Sequence, residues 1–175
     1  MGNFIDLAAV LAPAARVRSV LEALGFEAGC YPALSDRTLV LYEEATGDMD
    51  RMQTLSQELS TAVFACHIHD DDLWLYEFYL AGKLADKFNT LPSYWKQLTP
   101  EQEAEWKGDA DLLGQHWLGL NADSVRRYLR NQEDDLDTSS GKAYPDDEFE
   151  YADCWQLTDF LRKLGTPYPE SPDDA

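Results

Sequence analysis

The sequence predicts an α+β fold. Three observations lead there. Segments of alternating apolar residues and segments with a helical apolar stripe follow one another in the order strand–helix–strand–strand–helix–strand. The strongest strand-like segment, "LWLYEFYLAG", is apolar on both sides, which suggests a central strand. After "LPSYW" the strand pattern gives way to helical spacing and acidic loops.

"NFIDLAA" reads as a first strand, although its apolar run also suits the start of a helix. "PAARVRSVLEALG" is an amphipathic helix: Val17, Val20, Leu21 and Leu24 share a stripe, Pro13 starts it and Gly25 stops it. "FEAGCYPAL" is a weak strand whose Gly29 and Pro32 suit an edge or a bulge. "RTLVLYEEA" is a clearer strand, turned by "TGD". "MDRMQTLSQELS" is a second helix with Met49, Met52, Leu55 and Leu59 inward and Asp48 as its N-cap. "TAVFACHIH" and "LWLYEFYLAG" are strands joined by aspartates, and "LADKFNT" follows as the last. The first six elements match the ferredoxin-like split βαβ pattern, here with an added antiparallel hairpin and both helices on one face.

Beyond residue 92, "TPEQEAEWKGDADLLGQHWLGL", "NADSVRRYLRNQ" and "EFEYADCWQLTDFLRKLG" read as helices, and "EDDLDTSSGKAYPDDE" as an acidic loop. The expected organisation is an α+β sheet domain over 1–92, a helical extension packed on it over 93–166, and a tail over 167–175. No internal repeat is visible.

Charge bounds the partners. The 175 residues carry 33 acidic and 14 basic side chains, a formal net charge of -19. Such a surface repels phosphates, so nucleic acid and anionic lipid are disfavoured as partners. No apolar run approaches the ~20 residues of a membrane helix. Cys30, Cys66 and Cys154 are scattered and odd in number, with no Cys-x-x-Cys, which suits a reducing cytoplasm. The N-terminus has no basic segment ahead of its apolar run, so no signal peptide is expected, and position 6 is Asp where a myristoylation motif has Ser or Thr.

The stretch "HIHDDDLW" is the most site-like. His67 and His69 face the same side of a strand, and Asp71 is close enough in sequence to join them around a metal ion, with His116 as a fourth ligand. "HIHDD" resembles the opening His-x-His-x-Asp of the metallo-β-lactamase signature, but Asp72 stands where that signature has His. The plainer reading makes Asp70, Asp71 and Asp72 a hairpin tip, where Asp bonds its own backbone, and leaves the site without metal or cofactor. Glu77 lies alone in the apolar "LWLYEFYL", facing outward or, if buried, paired. Trp74, Tyr76, Phe78, Tyr94, Trp95, Trp106 and Trp117 suit either core or a ligand cleft. "FNTLPSYW" suits a clasp over the sheet end or a recognition loop. Gly-x-Ser-x-Gly, P-loop and Gly-x-Gly-x-x-Gly motifs are absent.

"MGNF", "HDDDLWLYEFYLAGKL" and "FNTLPSYW" together resemble a bacterial protein family that begins Met-Gly-Asn and carries a His-Asp-Asp-Asp hairpin. "GDADLLGQHWLG" and "LTDFLRKLGTP" look similar to that family's C-terminal half. The resemblance implies a bacterial cytoplasmic origin and brings no activity or catalytic residue. The expectation is therefore a non-enzymatic acidic protein that binds a basic protein, as immunity proteins bind nuclease toxins, through Asp70, Asp71, Asp72, Asp134 and Asp135. The alternative is a small metal-dependent hydrolase built on His67, His69 and Asp71.

Overall fold

The computed structural model describes residues 2–131 and 141–170. Its frame is a six-stranded antiparallel sheet with helices, a mixed α+β structure. The strands are β1 (Phe4–Val10), β2 (Ala28–Pro32), β3 (Thr38–Tyr42), β4 (Ala62–His69), β5 (Leu73–Leu80) and β6 (Lys83–Asn89). They lie in the order β2-β3-β1-β4-β5-β6. The segment with Gly29 and Pro32 is an edge strand, where a missing ladder donor costs least. The run that might have opened a helix is β1, paired with β3 on one side and β4 on the other.

Helices α1 (Ala14–Leu24) and α2 (Asp50–Leu59) cover one face of this sheet. Val17 and Leu21 of α1, and Met52, Leu55 and Leu59 of α2, pack with Ala8, Val40, Val63 and Ala65. Gly25 ends α1 in the left-handed region (φ 71°), which glycine adopts without steric cost. Asp48 holds the start of α2 by accepting from the amide of Asp50 at 2.9 Å, although Met49 is the residue at the cap position.

The opposite face is aromatic. Phe64, Trp74, Tyr76, Phe78 and Phe88 of the strands share one core cluster with Leu113, Trp117, Tyr128, Leu157 and Phe160 of the C-terminal region. Both faces of β4 and β5 are thus covered, which is why neither strand alternates cleanly between apolar and polar residues.

The C-terminal helices are shorter than their spacing suggests. The first segment splits into α3 (Pro100–Ala104) and α4 (Ala110–His116), because Gly108 turns the chain at φ 70° and Asp109 starts a new helix by accepting from the amides of Asp111 and Leu112. "NADSVRRYLRNQ" forms two single 3₁₀ turns, Ala122–Ser124 and Arg126–Tyr128. Asn121 caps the first, and Arg126 ties it back to Asp111 and Asp123. The last helix is only α5 (Gln156–Lys163). The buried Asp159 carboxylate accepts from the amides of Glu148 and Phe149, which holds those residues in a loop. Residues 133–140 of the acidic loop, including Asp134 and Asp135, lie outside the described residues.

Candidate functional site

The hairpin tip is built as the aspartates suggest. β4 and β5 pair from Ala62↔Leu80 to His69↔Leu73. The amide of Asp72 donates to the carbonyl of His69 at 2.9 Å. Asp70 (φ 53°) and Asp71 (φ 60°) both take left-handed backbone, which Asp tolerates better than most residues and which tight hairpins demand. The N-terminal segment docks on this tip. The Gly2 amide reaches Asp70 Oδ1 at 3.1 Å, and Asn3 Nδ2 reaches Asp71 Oδ1 at 2.9 Å. A Cβ on Gly2 would sit 2.4 Å from the Asp70 carbonyl, so only glycine fits there. Tyr94 clasps the tip from the other side, its hydroxyl donating to Asp72 at 2.7 Å. This bond ties "FNTLPSYW" to the hairpin tip.

His67 and His69 do face one side of β4, but the structure does not gather the four expected ligands. Asp71 bonds Asn3 and receives a long contact from the Cys154 thiol at 4.0 Å. His116 is exposed on α4, which packs Leu113 and Trp117 into the aromatic face, away from His67. Among the described residues, no group of three or more His, Cys, Asp and Glu side chains is placed to hold a metal ion.

His67 instead joins a residue that the sequence reading passed over. Asp6 and His67 are cross-strand partners. Asp6 is 1% exposed and His67 is 4% exposed, so His67 is not on a half-exposed face. His67 Nδ1 lies 2.5 Å from Asp6 Oδ1. The other carboxylate oxygen accepts from the amides of Thr46 (2.9 Å) and Gly47 (3.0 Å) and from the Arg51 guanidinium. Burial alone would push the Asp6 carboxyl up. The bond and charge of His67, the Thr46 amide and Arg51 more than offset it and hold the group below the usual aspartate range. His67 Nε2 then lies 3.2 Å from His69 Nδ1. Burial and the adjacent His67 pull the His69 pKa down, against Asp70 and Asp72.

The chain Asp6–His67–His69 opens into a cleft of about 520 Å³ at the sheet end, beside the β3–α2 loop. Phe4, Met49, Leu75, Glu77, Trp95 and Trp106 contribute to its walls. Glu77 is half-buried and accepts from the Tyr79 hydroxyl. The aromatic set therefore divides: Trp74, Tyr76, Phe78 and Trp117 are core, whereas Trp95 and Trp106 line the cleft.

Asp71 also borders a separate groove of about 540 Å³ with Glu148, Phe149, Glu150, Ala152 and Asp153. Four carboxylates converge there from two distant parts of the chain. The fold and these two sites define an acidic α+β protein whose aspartate hairpin borders a carboxylate groove through Asp71 and a cleft through His69. No family model, curated protein or solved structure matches this chain.

Proposed function

We propose that this is a non-enzymatic interaction protein that binds a basic protein partner through the hairpin end of the sheet. The observation that carries the reading is the groove in which Asp71 meets Glu148, Glu150 and Asp153, with the Phe149 side chain among them. Carboxylates around an aromatic suit a surface rich in Lys and Arg, and a net charge of -19 speeds the encounter by steering. Asp70 and Asp72 extend the same acidic surface across the tip, and Asp134 and Asp135 belong to the proposed contact through the sequence alone. The bacterial family resemblance and a cytoplasmic location are part of the proposal. So is the scaffold: we read the first six elements as a ferredoxin-like split βαβ core extended by β5 and β6, a reading supported by the strand order β2-β3-β1-β4-β5-β6.

The test is affinity capture from a bacterial lysate on the wild-type chain and on a groove variant combining Asp71→Asn, Glu148→Gln, Glu150→Gln and Asp153→Asn. A basic protein retained by the wild type, weakened by salt and lost on the variant is the expected result. Capture of no basic protein at low salt, or equal retention on the variant, would contradict the proposal.

A further inference from the structure

We propose that the cleft in front of His69 binds a small organic amine with an aromatic or alkyl arm, its ammonium held by Glu77 and its arm running toward His69 and Trp95. This goes beyond the protein-binding reading and uses a different part of the surface. A cleft of about 520 Å³ is the size of small-molecule sites, which pair apolar walls with a few placed polar groups. Here the walls are Phe4, Met49, Leu75, Trp95 and Trp106, and the polar groups are Glu77 and the two imidazoles.

The charges select a cation. Among the described residues Glu77 forms no ion pair; it accepts a hydrogen bond from the neutral Tyr79 hydroxyl. Lys87 is its cross-strand neighbour, but the Lys87 ammonium pairs with Glu105 at 3.0 Å and lies 4.4 Å from the Trp106 ring centre. An ammonium is thus already accommodated on one wall, and Glu77 is left without an ion-pair partner among the described residues. Arg51 is committed behind the wall to Asp6 and the Glu44 carbonyl. An anionic ligand would meet Glu77 with no free cation lining the cleft.

The imidazoles add no competing cation at the far end. His67 Nδ1 lies 2.5 Å from Asp6 and its Nε2 lies 3.2 Å from His69 Nδ1, so both rings are held in one chain behind the cleft. Burial and the adjacent His67 hold the His69 pKa down, which disfavours a positive charge there.

The probes are phenethylamine, phenethyl alcohol and phenylacetate, titrated calorimetrically into the full chain at about 0.3 M KCl to screen diffuse attraction. Phenethylamine is expected to saturate one site in the micromolar to millimolar range, with phenethyl alcohol about tenfold weaker or more and phenylacetate not binding. Glu77→Gln should reduce the amine to the affinity of the alcohol and leave the alcohol unchanged. Glu58→Gln, an exposed carboxylate at the other end of α2, should leave the amine affinity unchanged. No saturable amine binding, binding of phenylacetate equal to that of the amine, or full amine affinity in Glu77→Gln would overturn the proposal.

Discussion

The two faces of one strand do different work. On β4, Phe64, Cys66 and Ile68 enter the aromatic cluster. Between them, Val63 and Ala65 pack under α1 and α2, and His67 continues that row. The aromatic face is filled to the end of the strand, with Phe64, Tyr76 and Phe160 ring centres within 5.6 Å of one another. The helical face runs out where α2 begins. Among the described residues no helix covers the sheet beyond Met49, and Asp6, His67 and His69 stand at that end, with Glu77 further along the cleft. A sheet end left uncovered by its helices lets His69 stay part-exposed while Asp6 and His67 are buried behind it, the cost of their burial offset by the Thr46 and Gly47 amides and by Arg51.

Substitutions should separate the faces. The largest effect is expected from Phe160→Ala. Phe160 is fully buried against Phe64, Trp74, Tyr76 and Tyr128, and truncation should cost about 3–5 kcal/mol in urea unfolding. Asp6→Asn should cost less, about 1–3 kcal/mol near neutral pH, because Arg51 and His67 lose a charged partner. The pH dependence has a definite sign. The folded Asp6 pKa is depressed, so its contribution is complete above the unfolded value of 3.8 and is lost as pH falls through the folded value. The gap between wild type and Asp6→Asn, followed by urea unfolding at stepped pH, should therefore close in acid.

His69→Gln should cost under about 1 kcal/mol, since His69 is only part-buried and its ring contacts lie at the surface. His67→Gln should cost more than His69→Gln, as it strands the buried Asp6 carboxylate. The smallest effect concerns thiols. All three cysteines are buried, and burial with Asp153 and Asp71 nearby pushes the Cys154 thiol up to about 12. Ellman's reagent should label none of them in the folded protein and all of them in urea.

Much of this was legible in the sequence. The six strands, both early helices, the edge position of β2 and the aspartate turn follow from local periodicity and turn chemistry. The C-terminal helices were overextended because apolar spacing marks burial, while Gly108, Asn121 and Asp159 end or divert the chain through bonds to distant backbone. The site was half legible. His67 and His69 stood out, but Asp6 did not. It is a lone carboxylate in the apolar run "NFIDLAAV", the same signal that made Glu77 worth noting. Its pairing with His67 depends on the register between β1 and β4, which are separated by more than fifty residues, and no local pattern encodes that. The carboxylate groove likewise forms only when the loop before α5 meets the hairpin tip.

The central claim is that Asp6, His67 and His69 form one connected chain at the open end of the helical face. Nitrogen-15 NMR of the histidine side chains, recorded across pH, tests it most directly. The expected result is a His67 Nδ1 that stays protonated across the whole range, a His69 that remains neutral to lower pH than an ordinary histidine, and loss of both signatures in Asp6→Asn. A His69 that titrates with the ordinary value, and a His67 Nδ1 signal unchanged by Asp6→Asn, would contradict the account.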